Sequence, residues 1–174
     1  MAATIRPFAG KRPALGRGVF LAETSAVIGD VEIGEESSIW YGTVVRGDVM
    51  PVRIGARTSI QDNTVIHVTS EFSGTIIGDD CTIGHAAIIH ACTIEDGCLV
   101  GMGAIVLDGA RVGRGSFVGA GALVTPGTDI PPGSFVVGAP AKVKRAVSER
   151  DREQIEFGAR HYVELARRYL AGEG

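Results

Sequence analysis

Two histidines stand close together in an almost wholly apolar stretch of the chain. The segment IGHAAIIHACTI, residues 83–94, contains His85 and His90. Imidazole is the commonest metal ligand among side chains and also serves as a general acid or base. A spacing of five residues, however, places the two rings on one face of neither a helix nor a strand. Whether they act together depends on the elements that carry them.

A six-residue repeat provides those elements. From Leu21 to Val136, 19 successive hexads each begin with Leu, Ile or Val, with insertions after Val45 and Ile66. A period of six is a multiple of the strand period of two and does not fit the helical period of 3.6. The β-branched leads also favour extended backbone. The repeat therefore predicts short strands throughout residues 21–141.

This pattern resembles the hexapeptide-repeat proteins. The resemblance implies an all-β solenoid, specifically a left-handed parallel β-helix with three hexads in each coil and about six coils. Aliphatic leads would point inward, small residues would fit near the corners, and successive coils would stack about 4.8 Å apart. We expect this domain to occupy residues 21–141, after a lead-in segment over residues 1–20.

The hexads stop near Pro140, and the residues beyond it have the pattern of a helix. We expect a C-terminal α-helix over residues 147–171, with Ser148 as its N-cap, acidic residues in its first turn and arginines in its last. Gly158 is expected to weaken its middle. An apolar stripe at helical spacing would pack on a face of the β-helix. The stripe consists of Ile155, Tyr162, Leu165 and Tyr169.

The register of the hexads decides which histidines meet. His67 directly follows the lead Ile66, and His90 directly follows the lead Ile89. Three hexad steps, which make one coil, separate those leads. The two imidazoles should therefore point outward from one face and stack. Arg46 belongs to the same column, one coil earlier.

The third histidine of interest, His85, belongs to another face or its corner, because it lies two places after the lead Ile83. One chain cannot easily bring it to His67 and His90. A second copy could, and three-fold packing would place one site at each interface of a homotrimer. Three imidazoles with an open fourth position make a catalytic rather than a structural zinc site. The alternative is that each histidine is an ordinary solvated or hydrogen-bonded surface residue.

Three segments on this repeat carry a more specific resemblance. VVRGDV, IQDNTVIHV and IGHAAIIHACTI, in this order, resemble the γ-class carbonic anhydrases, most closely the shorter bacterial members, some labelled ferripyochelin-binding proteins. The resemblance covers nearly the whole chain, including HYVELARRYL in the terminal helix. The repeat alone is shared with many acyltransferases, whereas the Arg-Gly-Asp, Gln-Asp-Asn and three-histidine set is specific.

The resemblance implies a set of metal ligands and a hydrogen-bonding partner. His67 and His90 of one subunit, with His85 of the next, would hold the metal. Gln61, which follows the lead Ile60, would hydrogen-bond the metal-bound hydroxide. Zinc is the expected metal, and Fe²⁺ and Co²⁺ are alternatives because imidazoles suit them as well.

Four further residues receive roles from the same resemblance. Tyr162 would reach the site from the helix. Arg46, Asp48 and Asp62 would form an ion-pair group at the subunit interface, with Arg46 also placed to meet an anion. The alternatives are that Tyr162 serves only helix packing and that Arg46 only holds the interface together.

Proton release is the step for which the resemblance provides no matching residue. The founding enzyme of the family carries a glutamate proton shuttle in an acidic loop, whereas the loop after His67 here is VTSEFSGT, with Glu71 its only acid. His161, beside Tyr162, is the other candidate, although adjacent helix residues point in different directions. We therefore expect proton transfer to limit turnover.

The predicted function is reversible hydration of carbon dioxide to bicarbonate by a metal-bound hydroxide at the subunit interfaces of a homotrimer. Zinc would lower the pKa of its water to about 7. One alternative is a metal-holding or assembly protein of the same fold with little or no hydratase activity. The other is a hexapeptide acyltransferase, because the segment GAPAKVKR resembles the end of the repeat in that group.

Composition argues against other partners. The net charge of −3 comes from 17 basic and 20 acidic residues without a basic block, so neither nucleic acid nor an anionic membrane is an expected partner. No segment approaches the roughly 18 apolar residues of a membrane helix, and the N-terminus lacks the apolar stretch of a signal peptide.

Three cysteines predict reduced thiols, with Cys81 and Cys98 facing the interior. We expect a cytoplasmic protein.

Overall fold

The computed structural model of this protein is a left-handed parallel β-helix followed by one C-terminal α-helix, which confirms the predicted fold class. The structure describes residues 2–71 and 73–173. Met1, in the predicted lead-in segment, and Phe72, in the loop after His67, lie outside the described residues.

Most strands are short because each covers one side of a triangular coil before the chain turns. The two long strands, β4 and β6, continue around a corner onto a second side. The elements are β1 Thr4–Arg6, β2 Ala14–Leu15, β3 Phe20–Leu21, β4 Ala26–Ile33, β5 Ser38–Ile39, β6 Val44–Ile54, β7 Ser59–Ile60, β8 Val65–His67, β9 Thr75–Ile77, β10 Thr82–Ile83, β11 Ile88–His90, β12 Thr93–Ile94, β13 Leu99–Val100, β14 Ile105–Val106, β15 Arg111–Val112, β16 Phe117–Val118, β17 Leu123–Val124, β18 Asp129–Ile130, β19 Ser134–Val137, β20 Lys142–Ala146 and α1 Glu149–Leu170.

Three parallel ladders form the sides of the prism. The first, here called the histidine side, runs through β1, β4, β6, β8, β11, β14 and β17. The second runs through β2, β4, β6, β9, β12, β15 and β18. The third, here called the helix side, runs through β3, β5, β7, β10, β13, β16 and β19. The described residues thus form seven coils rather than about six, because the lead-in segment supplies most of an additional first coil.

The core is the column of hexad leads inside the prism. Val45, Ile66 and Ile89 are fully buried and lie one above the other in direct register. Small hydroxyl residues near the corners satisfy backbone carbonyls of the next coil, since Thr43 Oγ1 donates to the Gln61 carbonyl at 2.7 Å and Thr64 Oγ1 to the Gly84 carbonyl at 3.0 Å. These bonds explain why the repeat carries hydroxyls at buried positions, where an unpaired carbonyl is costly.

The corners require a left-handed backbone conformation three residues after most leads. Ala86 adopts φ 56° in the turn between β10 and β11, and Gly103 adopts φ 67° at the same position one coil later. Because His85 directly precedes Ala86, its side chain belongs to the corner where the helix side meets the histidine side.

The helix α1 lies along the helix side. Ser148 is its N-cap and forms a capping box with Asp151. Tyr162, Leu165 and Tyr169 pack on a buried cluster of Phe20, Trp40 and Ala166. No helix in the described parts of the chain is long and apolar enough to span a membrane.

Gly158 permits α1 to approach β10 very closely. A Cβ atom at this position would lie 2.9 Å from Thr82 Oγ1, closer than side-chain carbons lie in proteins. The glycine predicted to weaken the helix is therefore the residue that lets it pack on the strand.

The three cysteines are buried and free. Burial raises the pKa of the Cys92 thiol to about 12. Cys81 and Cys98 occupy equivalent places one coil apart inside the core, as the repeat predicted.

Candidate metal centre

The histidine side brings His67 and His90 together. The two residues end β8 and β11 and are paired in register, and their ring centroids are 5.3 Å apart. His67 Nδ1 lies 3.3 Å from His90 Nε2. Two nitrogens bound to one tetrahedral zinc ion at about 2.0–2.1 Å would be about 3.3 Å apart. The observed spacing therefore fits two ligands of a single ion.

A carboxylate contacts the other nitrogen of each of these rings. His67 Nε2 lies 3.1 Å from Asp48 Oδ1, and His90 Nδ1 lies 2.6 Å from Asp108 Oδ1. Carboxylates in this position fix the tautomer and orientation of metal-binding imidazoles. The donor set is therefore chemically suited to a metal ion.

Asp108 was not predicted as a site residue. It lies 18 residues after His90, one coil further along the prism, and Thr69 Oγ1 donates a hydrogen bond to its second oxygen. The hydrogen bonds from Thr69 and then His90 lower the pKa of Asp108. Asp108 lies two places after the lead Val106 of the same ladder, whereas His90 directly follows Ile89, so the hexad register indicates only that the two residues are one coil apart.

Arg46 pairs with Asp48 in the same chain. Burial raises the pKa of Asp48, but hydrogen bonds from Arg46 and His67 outweigh it and leave the pKa below its usual value. Within one chain the third member of the predicted ion-pair group, Asp62, lies elsewhere and contacts His85.

A second group of site residues surrounds His85 at the corner. His85 Nδ1 lies 2.8 Å from Asp62 Oδ2, and the backbone N–H of His85 donates to Gln61 Oε1 at 3.2 Å. Asp62 occupies the place of His85 one coil earlier, so the register of the repeat already places these two residues next to each other. Gln61 is buried, whereas His85 is half exposed.

Tyr162 makes contacts that bear on both interpretations, helix packing and approach to the site. Its ring packs edge-on against Trp40 with a centroid distance of 5.7 Å. It also lines a groove of about 440 Å³ together with Gln61 and His85. Burial, followed by the nearby charge of Asp62, raises the pKa of Tyr162.

The predicted ligands thus form two partial sites. His67 and His90 lie on the histidine side, and His85 lies at its corner with the helix side. Within residues 2–71 and 73–173, no group of three or more His, Cys, Asp or Glu side chains could hold a metal ion in one chain.

The two candidates for proton release also lie apart. Glu71 is exposed in a left-handed turn, with φ 59°. It is not among the residues that line the groove beside His85, whereas His161 is.

Two models of hexapeptide repeats match the chain. The one described as bacterial transferase hexapeptide (six repeats) matches residues 91–126, and the hexapeptide repeat of succinyl-transferase matches residues 51–89 and 74–106. The crystal structure of a hexapeptide transferase family protein from Anaplasma phagocytophilum superposes with a TM-score of 0.92 and 43% identity, covering 97% of this chain and 99% of that one.

Relatives with closely similar sequences carry a more specific description. The mitochondrial gamma carbonic anhydrase 2 of Arabidopsis thaliana is 47% identical over 161 residues, which are 90% of this chain but only 58% of the longer plant protein. The carbonic anhydrase of Geobacillus kaustophilus is 46% identical over 167 residues, 96% of this chain and 91% of that protein. Similarity along nearly the whole of this chain and of the Geobacillus protein shows that this protein belongs to the γ-class carbonic anhydrase family of hexapeptide-repeat proteins.

Proposed function

We propose that this protein hydrates carbon dioxide reversibly to bicarbonate at metal sites shared between the subunits of a homotrimer. The observation that carries the proposal is the division of the site into two complementary parts. One part offers the stacked imidazoles of His67 and His90, and the other offers His85 beside a buried amide, Gln61.

The placement of the two parts supports a closed three-fold assembly. They lie at different edges of the histidine side, so the His85 corner of one subunit can meet the stacked pair of its neighbour. Repeating such a heterologous contact closes a ring. Val65 and Ile88, which lie between the two parts, are 41% and 39% exposed in the single chain. Exposed aliphatic residues in register are typical of a surface that another subunit covers.

The donor set supports zinc, and the imidazoles would also accept iron or cobalt. His67 and His90 of one subunit and His85 of the next would hold the zinc ion, which would supply a nucleophile at neutral pH by lowering the pKa of a bound water to about 7. Asp48 and Asp108 accept hydrogen bonds from His67 and His90 and hold each ring in the tautomer that leaves its other nitrogen free, and Asp62 lies 2.8 Å from Nδ1 of His85.

Gln61 orients the oxygen that attacks carbon dioxide. Its Oε1 accepts the backbone N–H of His85, which leaves its amide N–H groups free to donate to that oxygen. Because Gln61 is only 6% exposed, its amide is held in place rather than solvated. Arg46 provides a positive charge beside the stacked pair for the bicarbonate product.

Subunit mixing tests the shared site. His67→Ala and His85→Ala proteins should each lack metal, and a mixture should regain some after subunit exchange, because some interfaces then join an intact His85 to an intact stacked pair. The matched control mixes His67→Ala with His90→Ala, which damage the same part, and should regain none. No recovery in the first mixture after verified exchange would contradict a site shared between chains.

Metal content and carbon dioxide hydration, measured on one anaerobically purified sample, test the activity. We expect about one metal ion per chain together with hydration above the uncatalysed rate. Full metal content without hydration would favour a metal-holding protein instead.

A further inference from the structure

The groove beside His85 runs between α1 and strands β10 and β13 of the helix side. Gln61, at the metal site, is buried, whereas Met102 and Phe157 are 60% and 62% exposed. The groove therefore leads from the buried amide of the proposed site to solvent.

His161 lies in this groove, and its ring packs against two aromatic neighbours. It stacks on Phe157, four residues earlier in α1, with a centroid distance of 5.3 Å and an interplanar angle of 13°. The ring of Tyr162 is edge-on to the ring of His161, with a centroid distance of 5.3 Å. His161 is exposed and lines the same groove as His85.

The position of α1 that presents His161 is fixed by packing. Gly158, between Phe157 and His161, allows the helix to contact Thr82 of β10. A proton relay must be held at a constant place relative to the reacting groups. Because Gly158 lies on the groove wall, its close approach to the strand holds this part of α1, and His161 with it, at a constant place.

We propose that His161 carries the proton out of the site, an inference that rests on the proposed function. Hydration, CO₂ + H₂O → HCO₃⁻ + H⁺, releases one proton in each turnover. One ring nitrogen of His161 takes this proton through water in the groove, and a buffer base then removes it, which leaves the imidazole unchanged. No Asp or Glu is among the described residues that line the groove. Imidazole is the side chain suited to proton exchange near neutral pH.

The test compares His161→Ala with Arg160→Ala. Arg160 is adjacent on α1 but lines a separate groove with Glu36 and Arg57, so it is a matched control. At saturating carbon dioxide in dilute buffer, His161→Ala should lower kcat by about ten-fold or more. Its kcat/KM should stay unchanged, because proton release follows the attack on carbon dioxide. Added imidazole should restore kcat, and Arg160→Ala should behave as the parent.

Two readouts separate a relay from a structural role. Metal content and the thermal midpoint of His161→Ala should equal those of the parent. In the cobalt-loaded parent, the ring proton signals of His161 in NMR spectra should be broadened, because the proposed metal site opens into the groove that His161 lines. Unbroadened His161 signals would overturn the proposal.

The kinetic outcomes distinguish this inference from the proposed function. A metal-loaded parent without hydration activity would refute both. An active parent with His161→Ala unchanged at every buffer concentration would refute only the relay, as would equal losses of kcat and kcat/KM that imidazole does not restore. A slow Glu71→Ala protein that imidazole rescues would assign the relay to the loop instead.

Discussion

Replacing Gly158 by alanine should destabilise the protein even though alanine is the better helix former. The added Cβ would lie 2.9 Å from Thr82 Oγ1 and 3.6 Å from Thr82 Cβ. A carbon and an oxygen in favourable contact are about 3.3–3.6 Å apart. Thr82 is 5% exposed and, as a β-branched residue, stiff about χ1, so the helix must move instead.

The two opposing effects are of similar size. Alanine gains about 1 kcal/mol over glycine in a helix interior, whereas overpacking costs about 1–3 kcal/mol. We expect overpacking to dominate, because the contact is to a buried strand residue. The net loss should be about 1 kcal/mol in the free energy of unfolding, which corresponds to about 2–4 °C in the thermal midpoint for a chain of this size.

Urea unfolding at fixed subunit concentration measures this loss, since assembly makes stability concentration dependent. The control is a double-mutant cycle with Thr82→Ala, which removes the atom that the new Cβ would meet. Thr82 Oγ1 has no hydrogen-bond partner among the described residues, so its removal leaves no other polar group unpaired. The double variant should recover about 1–2 kcal/mol as a coupling energy. A Gly158→Ala protein as stable as the parent, with no coupling to Thr82→Ala, would refute the reasoning.

Three further predictions follow from the site and the helix terminus. Asp108→Asn should weaken metal binding by about 10–100-fold without unfolding the chain, because it removes the carboxylate that orients His90; a chelator competition that shows parental affinity would contradict this. Gln61→Ala should retain its metal, measured by elemental analysis, while kcat falls, and loss of metal would show that the assigned role is wrong. Asp151→Asn should cost about 2 kcal/mol at neutral pH, because Arg145 and the helix N-cap donate to the carboxylate. Those bonds lower the pKa of Asp151 in the folded state, so its contribution is complete above the unfolded pKa of about 3.9 and disappears as the pH falls toward the folded value. The gap between Asp151→Asn and parent unfolding curves should therefore narrow in acid, and a constant gap would argue against this account.

The stacking of His67 and His90 could be predicted from the sequence alone. The apolar leads must all point inward, and a shift by one residue would turn every lead outward. Counting hexads from Ile66 to Ile89 therefore fixes which residues lie one coil apart, even across the five inserted residues. The same constraint placed His85 away from the pair, and the observed pairing agrees with both predictions.

Side-chain contacts made out of register and contacts between the helix and the prism were decided only by the tertiary structure. The pairing of Asp108 with His90 depends on side-chain directions at a turn, which the repeat does not specify, because Asp108 is one place out of the column that contains His90. The groove beside His85 exists because α1 packs on Thr82 through Gly158, a residue that helix propensity identified only as a weak point of the helix. The hexad period determines the register because every coil buries an aliphatic lead at the same place as the coil before it. The helix α1 has no such repeat, so its position follows from the shape of the surface that it covers.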